Sequence, residues 1–237
     1  LIGWGVRHIT FVDNARVSFS NPVRQSLFTF EDCLNGGKYK AEAAAERLRA
    51  IFPGVETQGI VMTIPMPGHF VSKSDETRVK EAVIELDELV QTHDTVFLLG
   101  DSRECRWLPT LLGAVHKKLV INVGLGFDSF VVMRHGVEVE KEGCSEGKLG
   151  CYVCSDVVAP RDSLRDRTLD QACTVTRPGI SMMAAAMAVE LFVSVMHNKS
   201  LVAASANAQC PLGTVPHQLR CFLSEWNLVQ LSGSAYD

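Results

Sequence analysis

The sequence predicts an α/β fold: a doubly wound, mostly parallel sheet flanked by helices. Short apolar segments at 6–12, 55–64, 95–99 and 119–123 alternate with amphipathic ones, the pattern of successive βαβ units. The segments TVFLL (95–99) and LVINV (119–123) are almost continuously apolar, as strands covered on both faces are. The chain has 237 residues, 46% hydrophobic and 21% charged. That is room for one large α/β domain or two small ones.

Each element has a local reason. Residues 6–12 (VRHITFV) form a β-branched strand, preceded by the turn Gly3-Trp4-Gly5 and closed by Asp13-Asn14. Residues 37–51, rich in Ala, Glu and Arg, predict a helix stopped by Pro53-Gly54. A strand at 55–64 and the loop Pro65-Met66-Pro67-Gly68-His69 follow. Residues 75–92 carry Val79, Val83, Leu86 and Val90 on one helical stripe. The strand at 95–99 runs into Gly100-Asp101; a helix at 107–116 and strands at 119–123 and 130–134 come next. Beyond Gly136 the pattern loosens into a charged surface loop to Gly150 and an irregular stretch at 151–176. A helix at 177–198 has Pro178 in its first turn and Thr176 as expected N-cap. The tail from Leu212, punctuated by Pro and Gly, reads ambiguously.

Composition removes several classes. The formal charge is −4, from 23 basic and 27 acidic side chains, with no long basic run, so nucleic acid is not an expected partner. The apolar run at 180–196 contains Glu190 and falls short of the roughly 20 residues of a membrane span, so a core or interface helix is expected. No secretory signal is visible, and the eight cysteines then read as metal-binding, catalytic or packing thiols of a reducing compartment. Leu1 is not an initiator methionine, which suggests a piece of a longer chain.

Several residues point to chemistry, each with a plainer alternative. Asp13 ends a strand, where an acid can accept ribose hydroxyls or close a turn. Asn21, Arg24 and Gln25 crowd one loop; an arginine fork suits phosphate, and a solvated loop is the alternative. Lys38 and Lys40 stand at a helix start, which favours anions. Asp101 leaves the carboxyl end of a buried strand, where it could hold Mg²⁺ against phosphates or sit in a polar turn. Cys151-x-x-Cys154 has zinc-ligand spacing but lacks an evident second pair; a redox pair or packing thiols are the alternatives. Cys173 precedes the apolar helix, whose dipole and Arg177 would favour a thiolate; a buried structural cysteine is the alternative. The seven histidines form no metal-spaced set.

Taken together, these segments resemble a known family. The run GWGVRHITFVDN (3–14), then SNPVRQ (20–25) and GGKYKA (36–41), are similar to the adenylation domain of ubiquitin-like-modifier-activating enzymes. FDSFVVMRHG (127–136), LGCYVC (149–154), DRTLDQ (166–171) and CTVTRPG (173–179) resemble the autophagy branch of that family. The similarity covers nearly the whole chain except 138–148 and 199–208.

The resemblance implies a Rossmann-like fold in a single domain: a nucleotide-binding core at 1–136, a crossover with the catalytic cysteine at 137–176, and a helix and C-terminal part at 177–237. It implies that Asp13 binds the ATP ribose and that Asn21, Arg24 and Gln25 contact phosphates or the adenine side. Lys40, rather than Lys38, matches the phosphate lysine. Asp101 would hold Mg²⁺, Cys173 would form the thioester with the modifier's C-terminal glycine, and Cys151 and Cys154 would be half of a structural zinc site. The second Cys-x-x-Cys of the family falls beyond Asp237, and its Gly-rich phosphate loop precedes the chain. This piece alone is therefore expected to bind ATP poorly. Implied partners are ubiquitin-like modifiers, their conjugating enzymes and a second copy of the chain. The implied location is the cytoplasm, with recruitment to autophagosome assembly sites. Two other classes stay open on the sequence: a nicotinamide-dependent oxidoreductase on the same kind of sheet, and a non-catalytic dimerisation scaffold.

Overall fold

The computed structural model describes residues 1–137, 149–155, 176–223 and 229–234. They fall in two compact units, Leu1–Ile64 and Pro65–Asp237.

The first unit is a βαβ element. Strand β1 (His8–Val12) pairs in parallel with β2 (Glu56–Ile60), His8 opposite Glu56 and Val12 opposite Ile60. Helix α1 (Lys40–Ile51) crosses between them and buries Ala41, Ala43, Ala44, Ala45 and Leu48. This helix starts later than the composition predicts, because the preceding residues are committed elsewhere. Arg16 and Tyr39 form an antiparallel bridge. The Val17 N–H donates to the Lys38 carbonyl at 2.8 Å and the Lys40 N–H to the Ala15 carbonyl at 2.9 Å. Gly37 has φ +79°, and any Cβ there would strike the Val17 carbonyl, so only glycine fits.

The second unit is a mixed sheet. Helix α2 (Glu76–Thr92) leads to β3 (Thr95–Leu98), then α3 (Glu104–Val115), then β4 (Leu119–Leu125). His116 and Asp87 join the helices at 2.7 Å. Helix α3 begins earlier than the sequence suggests, with the Cys105 N–H donating to Ser102 Oγ at 3.4 Å. Strand β3 runs parallel to β4. From there the pairing reverses. Strand β5 (Ser129–Arg134) is antiparallel to β4, because only Gly126-Phe127-Asp128 connect them and a parallel return needs a long crossover. Two short strands, β6 (Gln209–Cys210) and β7 (Gly213–Thr214), form a hairpin. The tail that reads ambiguously becomes β8 (Gln218–Leu223) and β9 (Val229–Ser234). The order is β3-β4-β5-β8-β9, antiparallel from β4 onward. The α/β class holds, but among the described residues the larger sheet is mixed rather than mostly parallel.

The short helix α4 (Tyr152–Ser155) precedes α5 (Pro178–His197). Helix α5 buries Ile180, Ala184, Ala188, Leu191 and Val195 in one core with Leu119, Ile121, Val123, Phe130 and Val132. By length and composition α5 could cross a membrane, but that spacing makes it the core helix of this sheet. Its N-cap is Arg177, not Thr176; Pro178 already sets the first helical φ, and Thr176 Oγ1 is buried without a partner among the described residues.

Candidate functional site

In the first unit the predicted nucleotide residues lie along the stretch from the end of β1 to the start of α1. The Asp13 N–H donates to the Ile60 carbonyl at 3.2 Å, extending the parallel ladder past β1. Asp13 Oδ1 accepts the Ala15 N–H at 2.7 Å, a turn that leaves Oδ2 available. The Ala15 carbonyl in turn accepts the Lys40 N–H. One residue therefore ties the strand-end acid to the first turn of α1. The Lys40 ammonium has no hydrogen-bond partner among the described residues. Lys38 differs: it lies 3.0 Å from Glu46 and 3.3 Å from Asp32. Its hydrogen bond to Glu46, then that to Asp32, raises its pKa. A lysine held between two carboxylates is poorly placed to serve a phosphate.

Asn21, Arg24 and Gln25 share a turn. Asn21 is 4% exposed. Its Oδ1 accepts the Ser18 N–H at 2.9 Å, and its carbonyl accepts the N–H groups of Arg24 (3.0 Å) and Gln25 (2.8 Å). The Asn21 side chain thus shapes the loop, while the half-buried Arg24 guanidinium has no hydrogen-bond partner among the described residues. Gln25 Oε1 is buried without a partner among the described residues.

Asp32 anchors this loop. It accepts from the Thr29 N–H at 2.9 Å and the Thr29 hydroxyl at 3.0 Å, and Arg47 stands 3.4 Å away. Burial pushes its carboxyl up, but the Thr29 amide, the Thr29 hydroxyl and Lys38 hold it below the usual range. The sequence reading missed Asp32; its signal was a capping box, Thr29 with an acid three residues on.

In the second unit Asp101 follows β3 at its carboxyl end, the edge where open α/β sheets bind ligands. Its carboxylate is exposed. Among the described residues no three His, Cys, Asp or Glu side chains gather around a metal. A lone exposed carboxylate fits a Mg²⁺ completed by phosphates and waters, not an all-protein cage. Next to it lies a residue the sequence reading also missed. Arg106 is 7% exposed and donates to Asn122 Oδ1, the Val123 carbonyl and the Gly100 carbonyl. Its signal was an arginine inside an apolar helical stretch, where a charge needs a reason.

Cys151 and Cys154 bring their sulfurs to 3.6 Å. Two thiolates on a tetrahedral zinc at ~2.3 Å lie about 3.8 Å apart, so the pair fits half of such a site. Burial moves the Cys151 thiol up, which a bound metal would reverse. No further ligands join the pair among the described residues. Cys173 lies outside the described residues.

Comparisons with known proteins follow from this layout. Residues 1–216 match the model of the ThiF family. Curated relatives named "Ubiquitin-like modifier-activating enzyme ATG7" align over 100% of the chain: 54% identical in Cryptococcus neoformans, 52% in Rattus norvegicus and 56% in Pichia angusta. The chain spans 38%, 39% and 38% of their lengths. Among solved structures, E. coli MccB with AMPCPP and SeMet MccA superposes at TM-score 0.58, with 18% identity, covering 98% of this chain and 58% of that one. E. coli MccB with ATP gives 0.54 and 17%, covering 95% and 56%. At those identities the likeness concerns the fold alone. Matched by the family model from its first residue through Pro216, the chain belongs to the ThiF family.

Proposed function

We propose that the chain is the adenylation domain of an enzyme that activates ubiquitin-like modifiers of autophagy. The observation that carries this reading is the 52–56% identity, along the whole chain, to relatives named as such activating enzymes. The MccB structure with ATP, on the same fold, supports ATP as co-substrate.

In the proposed reaction a carboxylate oxygen at the modifier's C-terminal glycine attacks the α-phosphorus of ATP. The bond from that phosphorus to the β-bridging oxygen breaks, giving an acyl-adenylate and pyrophosphate. Asp13 would accept a ribose hydroxyl, and Arg24 and Lys40 would neutralise charge gathering on the phosphate oxygens. Gln25 would add a polar contact, and Asn21 would keep the loop in shape. Asp101 would hold Mg²⁺, which would supply positive charge against the phosphates. The Cys173 thiolate would then attack the acyl carbonyl, expelling AMP and leaving a thioester. A cysteine of a conjugating enzyme would take the acyl group by the same exchange. Cys151 and Cys154 would hold structural zinc with two ligands from elsewhere. We further propose a homodimer that works in the cytoplasm and is recruited to sites of autophagosome assembly.

ATP–pyrophosphate exchange by the full-length protein, dependent on a modifier with a free C-terminal glycine, tests the reading. Cys173→Ser should keep exchange but carry the modifier only as an alkali-labile oxyester, or not at all. Thioester formation by Cys173→Ala at the normal rate would overturn the assignment of the nucleophile.

A further inference from the structure

We propose that Arg106 is the positioning residue for the Asp101 carboxylate, fixing the turn after β3 against the middle of β4; this rests on the reading that Asp101 serves Mg·ATP. The guanidinium is buried. Nη1 donates to Asn122 Oδ1 at 2.5 Å and to the Val123 carbonyl at 2.8 Å, and Nη2 donates to the Gly100 carbonyl. Gly100 lies just past β3, and Asn122 and Val123 sit in the middle of β4, Asn122 opposite Leu98 at the end of β3, so one fork spans two adjacent parallel strands. Gly100 is the residue immediately before Asp101.

The other side of Asp101 is held as well. The Cys105 N–H donates to Ser102 Oγ at 3.4 Å, and Cys105 Sγ to the Ser102 carbonyl at 3.1 Å. A Cβ on residue 100 would collide with Cys105 Sγ, so the turn is packed directly on α3. The Tyr152 ring lies 5.6 Å from the guanidinium carbon and covers it within cation–π range. Asp101 is thus flanked by two pinned residues while its own carboxylate faces solvent.

The chemistry of the choice is telling. A buried cation on neutral acceptors stabilises a fold less well than an apolar side chain of similar size would. What the guanidinium adds is a rigid planar fork of several donors that keeps its charge. A lysine ammonium is a single point and cannot hold the two strands in the same register. Displacing a metal-bearing carboxylate by about 1 Å can cost on the order of 100-fold.

The test is equilibrium binding of ATP by the full-length protein, once with Mg²⁺ and once with EDTA, alongside pyrophosphate exchange. Arg106→Lys should weaken Mg·ATP binding at least about tenfold, leave ATP–EDTA binding within about twofold, and raise the Mg²⁺ concentration needed for half-maximal exchange. Asn122→Ala, which removes one acceptor, should shift the same quantities less. Equal weakening of both ATP forms, or no change in either, would overturn the proposal. If Arg106→Lys does not fold, Asn122→Ala decides by the same criterion. Wild-type protein that binds ATP equally with and without Mg²⁺ would instead defeat the underlying assignment of Asp101.

Discussion

His135 makes stability depend on pH in a way that can be calculated. It follows β5, is 3% exposed, and its Nε2 has no hydrogen-bond partner among the described residues. Burial first, then the charges of His217 and Arg106, lower its pKa from 6.5 to about 3. The unfolded chain therefore takes up a proton at this site below about pH 6.5, while the folded protein refuses it until about pH 3. Stability is lost as pH falls through that window, because the unfolded state binds more protons. At pH 7.5 the loss is close to zero; at pH 5.5 it is about 1.4 kcal/mol, and at pH 4.5 about 2.7 kcal/mol. Urea unfolding at each pH, read as the difference between wild type and His135→Gln, removes the shared contribution of the carboxylates. The variant should be less stable at pH 7.5, and the gap should narrow by about 1.4 kcal/mol at pH 5.5. A gap that stays constant between those pH values would refute a neutral, buried His135.

Other outcomes follow from single residues. Gly37→Ala meets both a φ of +79° and the Val17 carbonyl, and should lower stability by about 1–3 kcal/mol in urea unfolding. Cys151→Ser in the full-length protein should reduce bound zinc, measured by chromogenic release, from about one equivalent to near none. Asp101→Ala should abolish Mg²⁺-dependent pyrophosphate exchange while its far-UV spectrum matches wild type, since its carboxylate is exposed.

Much of this layout was legible because it depends on local chemistry. The alternation of TVFLL and LVINV with helical stretches gave β3, α3 and β4 within a few residues, since both periods are written in neighbouring side chains. The reversal of β5 was harder to see. It depends on a three-residue connection and on β8, which lies far along the chain in a segment whose pattern is weak. The start of α1 reads too early because the Ala- and Glu-rich composition is carried back to Gly37, a poor helix former, whereas residues 38–40 pair with residues 15–17. In the first unit Asp13 and Lys40 stood out by position, and the shared contact through Ala15 joins them. Arg106 and Asp32 did not stand out. Their importance comes from burial among partners distant in sequence, and burial of a charge is not a sequence pattern.

The partnership of β5 with β8 has a consequence for synthesis. On the ribosome β4 and β5 can close their hairpin early, but the far edge of β5 stays bare until residues 218–223 emerge. Arg134, at the end of β5, waits nearly as long for its company: its guanidinium donates to the carbonyls of Ala204, Ser205, Val215 and Pro216. A nascent chain halted within α5 would display an unpaired strand beside a stranded cation, a surface that invites aggregation and chaperone capture. Residues 204–223 therefore complete the middle of this sheet, and truncation before them should yield insoluble products rather than smaller working ones, read as the share recovered in the soluble fraction.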